Sequence, residues 1–471
     1  MGAIRAAAAA VLVVFTAVAA VGDCVTTSKL ISTRSSKPNL VSGPVAWSGS
    51  VLGVAKTQEN AATAVWFGVY DEALQTLVPD RLVANDSRDI VSLEWTGTEF
   101  GLFYRTAQTQ RLHLQRISMM GEPIGGPIPI TPGRTVYASD EIEIEWNGAA
   151  DAYVIARNIS QGQFKGLWVT YVSRDGTHRL DRRLPVIVAP QSNLSLSVTE
   201  AGVAGIAYTN SNDGISILIM TETSIPIANT VTTTQGYYIE TAAFGNRFVI
   251  THAVSEGGKT TIHWLVVDTS HQVIEPDSLL LEGSGDDVWS LALVATDEEL
   301  ALAYVDTKDR NEPLDTEYRL RRFTIDGTTL TDTYFAAADF GAATRSDSVF
   351  DFAWTGSAYL QATYRQTPDR LNSHLLKYCP LRAHVITDVV AGRPGAPVVF
   401  TAVPDGGVPG YSYAWTFGDP TRVFRTQSVS RTYDAVGTYT ATLTVTDTAG
   451  ATYTTTYSVN VVTVRRRASR H

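Results

Sequence analysis

One short motif recurs along most of this 471-residue chain and limits the folds open to it more than any other feature. Alternating apolar residues lead to an aromatic residue, then to Thr, Ser or Asn followed by Gly, and then to a second alternating run. Clear copies contain Trp47, Trp95, Trp146 and Trp354, and weaker copies lie around Val198, Phe244 and Val294. The copies are roughly 46 to 60 residues apart, a period typical of stacked supersecondary units.

Each copy predicts the same local structure. A strand ends at the aromatic residue, a tight turn uses the Gly, and a second strand follows, such as 100–105 or 359–365. A third strand is predicted at 112–117, 167–172, 215–219, 262–267 and 320–325, and a weaker fourth strand leads to the next unit. Four short antiparallel strands in about 50 residues are typical of a propeller blade. The repeats therefore resemble a bacterial extracellular β-propeller of about seven blades over residues 25–381.

The repeated aromatic residues allow two interpretations. Aromatic side chains at fixed repeat positions usually fill the core, which here would lie between blades. The alternative is an aromatic ring that lines a ligand-binding face. The residues concerned are Trp47, Trp95, Trp146, Phe244 and Trp354.

The last repeat is short, because its third strand meets Pro380. We expect residues 25–33 to supply the missing strand, which would remove an exposed sheet edge and bring Cys24 near Cys379. The alternative fold, a pair of β-sandwiches, needs a linker near the middle of the repeats. No such linker separates Trp47 from Cys379.

Residues 1–22 predict a signal peptide. Arg5 gives the positive start, 6–20 is an uncharged apolar run, and small residues follow. The run is too short to span a bilayer comfortably, and no later stretch approaches a transmembrane helix. We expect the mature protein to be exported to the periplasm, the cell surface or the medium, and soluble there unless it is lipid-anchored.

The two cysteines, Cys24 and Cys379, leave two hypotheses open. Residues 21–24 resemble a lipobox, which would lipidate Cys24, although Asp23 departs from the Gly, Ala or Ser expected there. An even number of cysteines in an exported chain favours a disulfide instead. The two outcomes exclude each other, because lipidation would leave Cys379 unpaired.

A different pattern covers residues 384–463. An aromatic motif contains Tyr413, Trp415, Phe417, Gly418 and Asp419, and a later motif contains Arg431, Tyr433, Gly437, Tyr439, Leu443, Val445 and Asp447. Together these motifs resemble the PKD family, with Thr416 and Pro420 departing from its pattern. The resemblance implies an immunoglobulin-like β-sandwich that acts as a spacer or adhesive module and sometimes contacts polysaccharide or protein.

Charge argues against one class of partner. The net charge is -10, and an acidic surface repels the phosphates of nucleic acid. The basic tail, 464–471, is either a solvated terminus or an attachment to an anionic surface such as lipopolysaccharide.

Candidate chemistry is sparse. The histidines show no zinc-site spacing, no nucleophile elbow is present, and 173–177 is interpreted as a hairpin turn rather than a sialidase Asp-box. No catalytic residue, metal ligand or cofactor is predicted, except that oxygen-rich loops could bind calcium. The side chains that offer oxygen ligands are Asp306, Asp309, Asn311 and Asp315 in one stretch, and Asp286 and Asp287 before a strand. Asp89, Asp140, Asn193, Asp287 and Asp347 fall at similar places before the first strands of their repeats. Turn formation is the alternative.

The sequence thus predicts an all-β protein: a seven-bladed β-propeller followed by an immunoglobulin-like β-sandwich. The leading functional hypothesis is a non-catalytic binding or adhesion protein that recognises a protein or glycan at the cell envelope. A glycan-active enzyme with its site in the propeller channel and a structural envelope protein are the alternatives, because the fold alone does not decide function.

Overall fold

The computed structural model describes residues 27–35, 43–58, 61–87, 89–130, 140–160, 162, 164–186, 188, 193–212, 214–224, 226–256, 258–283, 287–307, 316–335, 348–366, 370–448 and 450–463. All regular structure in these ranges is β-strand. Within the same ranges, no helix is long and apolar enough to cross a membrane.

The described chain begins with strand β1 (Thr27–Ser35), and the next strands form small antiparallel sheets of four strands each, in chain order. Sheet 1 contains β2 (Val45–Trp47), β3 (Leu52–Gln58), β4 (Ala61–Tyr70) and β5 (Thr76–Ala84). Sheet 2 contains β6 (Asp89–Trp95), β7 (Glu99–Arg105), β8 (Leu112–Ser118) and β9 (Pro123–Pro129). Sheet 3 contains β10 (Glu141–Asn147), β11 (Ala152–Ile159), β12 (Gly166–Ser173) and β13 (His178–Arg183).

The same order continues through the weaker repeats. Sheet 4 contains β14 (Leu194–Val198), β15 (Ala204–Thr209), β16 (Ile215–Met220) and β17 (Ile227–Thr232). Sheet 5 contains β18 (Tyr237–Phe244), β19 (Arg247–Glu256), β20 (Lys259–Asp268) and β21 (Val273–Glu282). Sheet 6 contains β22 (Asp287–Ala295), β23 (Leu300–Thr307), β24 (Thr316–Phe323) and β25 (Thr329–Phe335).

Sheet 7 is completed from the other end of the repeats. It contains β26 (Ser348–Trp354), β27 (Tyr359–Gln366) and β28 (Arg370–Tyr378), and β1 pairs antiparallel with β28, with Thr27 opposite Lys377. The predicted N-terminal closing strand is therefore confirmed. Lys29 Nζ also donates to the Leu74 carbonyl oxygen at 2.7 Å, which ties the closing strand to sheet 1.

The sheets follow one another in a closed cycle. The first strands, β2, β6, β10, β14, β18, β22 and β26, each contact the first strand of the next sheet, and β26 contacts β2. Every neighbouring pair of sheets, including sheets 7 and 1, shares a cluster of buried apolar side chains. The main hydrophobic core is thus divided among the sheet interfaces, as expected for units that cannot bury both faces alone.

Two glycines show how closely neighbouring sheets approach. A Cβ on Gly101 would lie 2.1 Å from Tyr153 Oη of the next sheet, and a Cβ on Gly205 would lie 2.6 Å from the ring of Phe248. Each glycine leaves the space that an aromatic ring of the following sheet fills. Any larger residue there would force the sheets apart.

The C-terminal strands form two three-stranded sheets, which we name the C-terminal sandwich. One sheet contains β29 (Arg382–Thr387), β30 (Pro397–Asp405) and β32 (Ser428–Thr432). The other contains β31 (Ser412–Thr416), β33 (Gly437–Thr446) and β34 (Thr452–Val461). Alternate residues of β33 are buried, as the strict alternation in the sequence predicts.

Arg382, the first residue of β29, joins the C-terminal sandwich to sheet 6. Its guanidinium donates to Glu298 Oε2 at 2.8 Å and to Glu299 Oε1 at 3.2 Å. It also lies 5.9 Å from the ring centroid of Trp354 in sheet 7. The Arg382 guanidinium, at the start of the C-terminal sandwich, thus contacts both sheet 6 and sheet 7.

Candidate functional site

A cavity of about 450 Å³ lies where the first strands of the ring meet. Its lining comes from β6, β10, β14, β18, β22 and β26, together with Pro44 just before β2. Six of the seven sheets and the residue that precedes the first strand of sheet 1 therefore line one cavity, whose volume lies in the range typical of ligand pockets.

Five acidic side chains line this cavity. They come from β6 (Glu94), β10 (Glu143, Glu145), β18 (Glu240) and β26 (Asp351). Side chains two residues apart on a strand point to the same face, so Glu143 and Glu145 face the cavity together. We name these five residues the carboxyl cluster.

Two members of the carboxyl cluster are held by the protein. Asp351 accepts hydrogen bonds from the backbone N–H groups of Phe352, at 2.8 Å, and Val45, at 3.0 Å. Glu94 accepts a hydrogen bond from Ser92 Oγ at 2.5 Å. These contacts fix the positions of the two carboxyl groups, and the Val45–Asp351 hydrogen bond connects β2 with β26.

The other three, Glu143, Glu145 and Glu240, form no hydrogen bond with any residue that the structure describes. Their carboxyl groups are therefore available to a ligand in the cavity. Ser197 adds a further polar group, because its hydroxyl is buried, lines the cavity and has no hydrogen-bond partner among the described residues. Buried polar groups in native proteins are usually paired, and a polar molecule in the cavity would supply the partner that this hydroxyl lacks.

Burial changes the protonation of the carboxyl cluster. It raises the pKa of Glu143 and of Glu145 to about 8, and that of Asp351 to about 7. The pKa values of Glu94 and Glu240 are also raised, first by burial and then by neighbouring carboxylates. Desolvation and like charge both disfavour ionisation, so several members carry a proton at neutral pH.

A protonated carboxyl group donates one hydrogen bond and accepts others, whereas a carboxylate only accepts. The carboxyl cluster can thus pair with hydroxyl groups in either direction and can stabilise a cation after losing protons. An anionic ligand would meet unfavourable charge. The arrangement suits hydroxyl-rich or cationic ligands.

A second polar cluster lies in sheet 5, away from the cavity lining. Among the described residues, His252, His263 and Asp277 are the one set of three or more His, Cys, Asp or Glu side chains whose ligand atoms all lie within 4.8 Å. His252 Nε2 is 2.9 Å from Asp277 Oδ1, and His263 Nδ1 is 3.4 Å from the same oxygen.

The repeated aromatic residues do not line the cavity as the structure describes it. Ring centroids are 4.7 Å apart for Trp95 and Phe100, and 4.8 Å apart for Trp146 and Tyr153. Trp354 lies 4.5 Å from Tyr359, and Trp47 and Phe244 pack against inter-sheet clusters. Trp95, Trp146 and Trp354 thus each contact the second strand of their own sheet.

Three of the residues suggested as calcium ligands that the structure describes each contact another side chain of the protein. Asp89 pairs with Arg105, Asp140 accepts from the Ser160 hydroxyl at 2.8 Å, and Asp306 lies 3.3 Å from Arg319. Calcium binding in the loops stays a prediction. Further residues named for it lie outside the described part of the chain: Asp286, Asp309, Asn311, Asp315 and Asp347. The signal peptide, Cys24 and the basic tail lie outside it too.

Sequence reasoning missed both polar clusters, although each leaves a signal. In β10, residues 141, 143 and 145 are all Glu, and this alternation predicts one acidic strand face. His252 and His263 are equally distant from the turn between β19 and β20, so they pair directly across the hairpin. Neither the paired histidines nor the acidic strand predicts a site by itself, because the other members of each cluster come from other strands.

The C-terminal sandwich is built around its motif residues. Trp415 is fully buried, and its Nε1 donates to the Thr426 carbonyl oxygen at 3.0 Å. The rings of Tyr433 and Tyr439 stack with centroids 4.1 Å apart. Asp447 accepts from the backbone N–H of Val408 at 2.9 Å. Asp419, by contrast, is exposed and accepts a hydrogen bond from Thr421 N in the turn that begins after Phe417 and Gly418.

The family model for the PKD domain matches residues 384–462. Residues 384–462 are a PKD domain. The PKD1 domain of Vibrio anguillarum Epp is 30% identical, and the match covers 18% of this chain and 95% of that chain, with a TM-score of 0.16. The PKD resemblance in the sequence is confirmed. In this PKD domain, Tyr413 and Gly437 also lie on paired strands, β31 and β33.

Other solved structures are similar over a larger part of the chain. AofleA from Arthrobotrys oligospora is 10% identical, with a TM-score of 0.42 and coverage of 66% of this chain and 90% of that chain. The SapL1 lectin, solved with alpha methyl fucoside, is 9% identical, with a TM-score of 0.41 and coverage of 65% and 97%. An uncharacterised protein from Listeria monocytogenes EGD-e is 10% identical, with a TM-score of 0.42 and coverage of 71% and 92%. No curated protein matches the sequence.

Proposed function

We propose that this chain is an exported carbohydrate-binding protein whose seven sheets form a seven-bladed β-propeller. Three observations support the propeller. The first strands contact one another in a closed cycle, each neighbouring pair of sheets shares an apolar cluster, and β1 completes sheet 7 from the other end of the domain. A strand contributed from the opposite end removes the sheet edge that an open ring would leave.

The single observation that carries the ligand proposal is the set of carboxyl groups of Glu143, Glu145 and Glu240 in the central cavity, which form no hydrogen bond within the described part of the chain. Carbohydrate hydroxyl groups both donate and accept hydrogen bonds, and partly protonated carboxyl groups do the same. The carboxyl cluster excludes sugars that carry carboxylates or sulfates. The ligand class is therefore neutral or amino sugars.

The PKD domain serves as a spacer or second contact at the cell envelope. Arg382 links it to the ring through Glu298 and Glu299, so the domain is held against the proposed propeller at this contact. Export rests on the signal peptide predicted at residues 1–22, and the location at the cell surface or in the periplasm is part of the same proposal.

We further propose a disulfide between Cys24 and Cys379. Thr27 pairs with Lys377, and each residue is within three positions of one cysteine along the sequence. Antiparallel strands hold such positions at the short separation that a disulfide needs. The bridge would close the ring covalently at the one sheet made from both ends of the domain.

A glycan panel tests the ligand proposal. The purified mature protein is screened at pH 7 against neutral, amino, uronic and sulfated glycans, beside the variants Glu143→Ala and Glu240→Ala. We expect binding of neutral or amino sugars that both variants weaken, because alanine neither donates nor accepts a side-chain hydrogen bond. Preferential binding of acidic glycans would contradict the proposal, and binding of none would favour a structural role in the envelope.

A glycan-active enzyme is the second candidate, and the raised pKa values of Glu143 and Glu145 favour it. A carboxyl group with a pKa near 8 holds the proton that a general acid must deliver at neutral pH. The test is release of reducing sugar from any panel glycan that binds. Turnover lost in Glu143→Gln or Glu145→Gln would establish the enzyme, and binding without turnover would establish the binding protein.

A further inference from the structure

A buried group of two imidazoles and one carboxylate lies in sheet 5, outside the proposed carbohydrate site. His252 on β19 pairs directly with His263 on β20. Asp277 lies on β21, within the register shift that separates the pair Trp264–Ser278 from the pair Val266–Glu275. Three consecutive strands thus contribute one side chain each.

Two of the three separations between ligand atoms are close to those in a small tetrahedral metal site. His252 Nε2 and His263 Nδ1 lie 2.9 Å and 3.4 Å from Asp277 Oδ1. A tetrahedral ion with bonds of 2.0–2.1 Å keeps its ligand atoms about 3.3 Å apart. The three ligand atoms all lie within 4.8 Å of one another, so a small adjustment of the two imidazoles would complete the geometry.

The hydrogen bonding of the group is incomplete. His263 Nδ1 is buried and has no hydrogen-bond partner among the described residues, although it faces Asp277. His252 is fully buried, and its Nδ1 also has no such partner. One carboxylate oxygen is thus approached by two imidazoles but satisfies only one of them. A cation shared by the three ligand atoms would give His263 Nδ1 the partner that it lacks and would leave His252 Nδ1 unchanged.

The surroundings hold the group in place. Thr232 Oγ1, on the neighbouring sheet 4, donates to Asp277 Oδ2 at 2.8 Å and so leaves Oδ1 facing the histidines. Gly236 packs against His252, where a Cβ would lie 2.5 Å from Nδ1. His252 is thus fixed by its neighbours and Asp277 by a hydrogen bond, the kind of outer support that orients metal ligands.

One side of the group reaches solvent. The side chains of His263 and Asp277 are 20% and 12% exposed, whereas that of His252 is 0% exposed. Three protein ligands with a solvent-facing fourth position are typical of open zinc sites. Imidazole ligands favour zinc and neighbouring transition metals over calcium and magnesium, which prefer oxygen.

We propose that His252, His263 and Asp277 bind one divalent transition metal ion of the zinc type, which joins β19, β20 and β21 and, through Thr232, sheet 4. The ion would stabilise the interface between sheets 4 and 5. A simple His252–Asp277 hydrogen bond with no metal is the competing account.

The test uses the tag-free mature protein, freed of metal with a chelator and then dialysed. Zn²⁺ is titrated by calorimetry, with Ca²⁺ as the comparison, and Tm is measured with and without Zn²⁺. We expect about one Zn²⁺ per chain and a rise in Tm of several degrees, and Ca²⁺ should not compete with Zn²⁺ for this site. Asp277→Asn, which keeps the shape of the side chain, and His263→Gln should each weaken Zn²⁺ binding at least tenfold and abolish the rise in Tm.

His178→Gln, at an exposed histidine of sheet 3, is the matched control and should bind Zn²⁺ as the wild type does. Circular dichroism shows whether each variant is folded, and the visible spectrum of Co²⁺ bound to the wild-type protein gives a readout that needs no variant. Tetrahedral Co²⁺ absorption supports the site. Absence of Zn²⁺ binding to the wild type, or unchanged binding by folded Asp277→Asn, would overturn the proposal.

Discussion

Glu299 and Arg322 form a buried ion pair with two parallel hydrogen bonds, Nε to Oε1 and Nη2 to Oε2, each 2.7 Å long. Tyr359 Oη donates to the same carboxylate at 2.6 Å, and Arg382 donates at 3.2 Å. Sheets 6 and 7 and the PKD domain thus meet at one carboxylate. Because the surrounding cations and donors stabilise its charge, the pKa of Glu299 is lowered despite burial.

Replacing Glu299 should therefore lower the free energy of unfolding of the full chain. Glu299→Gln leaves Arg322 as a buried charge without its counterion, and losing one partner of such a pair costs about 3–5 kcal/mol. Chemical denaturation of the full chain measures the change. Glu122→Gln removes the partner of Arg81 in an exposed ion pair, and this control should cost less than about 1 kcal/mol. Equal effects of the two substitutions would refute the role given to Glu299.

The carboxyl cluster should make stability fall as the pH rises. Because the folded pKa of Glu143 and of Glu145 is about 8, against an ordinary value of 4.5, the folded state binds more protons than the unfolded state between these values. The stabilisation is full below pH 4.5 and is lost as the pH passes through 8. The free energy of unfolding should drop on the order of 2–4 kcal/mol from pH 5 to pH 9.

Thermal unfolding across this pH range provides the measurement. Glu143→Gln should flatten the slope, because an amide does not titrate, while Glu122→Gln should leave the slope as it is in the wild type. The lowered pKa of Glu299 acts in the opposite direction, so its contribution is lost as the pH falls below its ordinary value. Rising stability between pH 5 and pH 9 would contradict the protonation assigned to the cavity.

Intact mass of the mature protein decides between the two hypotheses for Cys24. A disulfide with Cys379 predicts a mass that increases by about two hydrogens on reduction, whereas lipidation adds a diacylglycerol group. Closing so long a loop should contribute about 4–5 kcal/mol in the chain-entropy model. Cys379→Ser should therefore lower Tm under oxidising conditions and change little under reducing conditions. A lipid adduct on Cys24 would exclude the disulfide.

The PKD domain should depend on Trp415. The side chain is fully buried among Phe400, Leu443 and other core residues, so Trp415→Ala should cost that domain about 3–5 kcal/mol. Calorimetry of the full chain measures the transition of the PKD domain. Val423→Ala, at an exposed position, should change it by less than about 0.5 kcal/mol. An unaffected transition in Trp415→Ala would contradict the assignment of this core.

Much of the fold could be predicted because its signals are local. Alternation of apolar residues predicted β33, and the aromatic–polar–glycine motif predicted where first strands end, as at Gly97 and Gly356, whose φ angles are 89° and 101°. The closing strand β1 was predicted from what sheet 7 lacked. Period, turn chemistry and an unpaired edge are properties that a single sequence carries.

The sites could not be predicted in the same way because they form across strands distant in sequence. Glu94 and Asp351 belong to the first and last thirds of the chain and meet only when the first strands close into a cycle. Asp277 reaches the histidines through irregular register in β21, which no local pattern predicts. The sequence predicted acidic sites in loops, whereas the carboxyl groups that converge on the cavity lie within regular strands.

Calorimetric titration of the strongest-binding neutral or amino sugar is the most direct test of the central claim, that the carboxyl cluster holds the ligand. The wild type is compared with Glu143→Ala, Glu240→Ala and the surface control Glu122→Ala at pH 7, because alanine removes the hydrogen-bonding group that an amide would partly replace. We predict that each cavity variant raises Kd at least tenfold, about 1.4 kcal/mol, while the control leaves Kd unchanged. Equal Kd values for the wild type and both cavity variants would show that the ligand binds elsewhere.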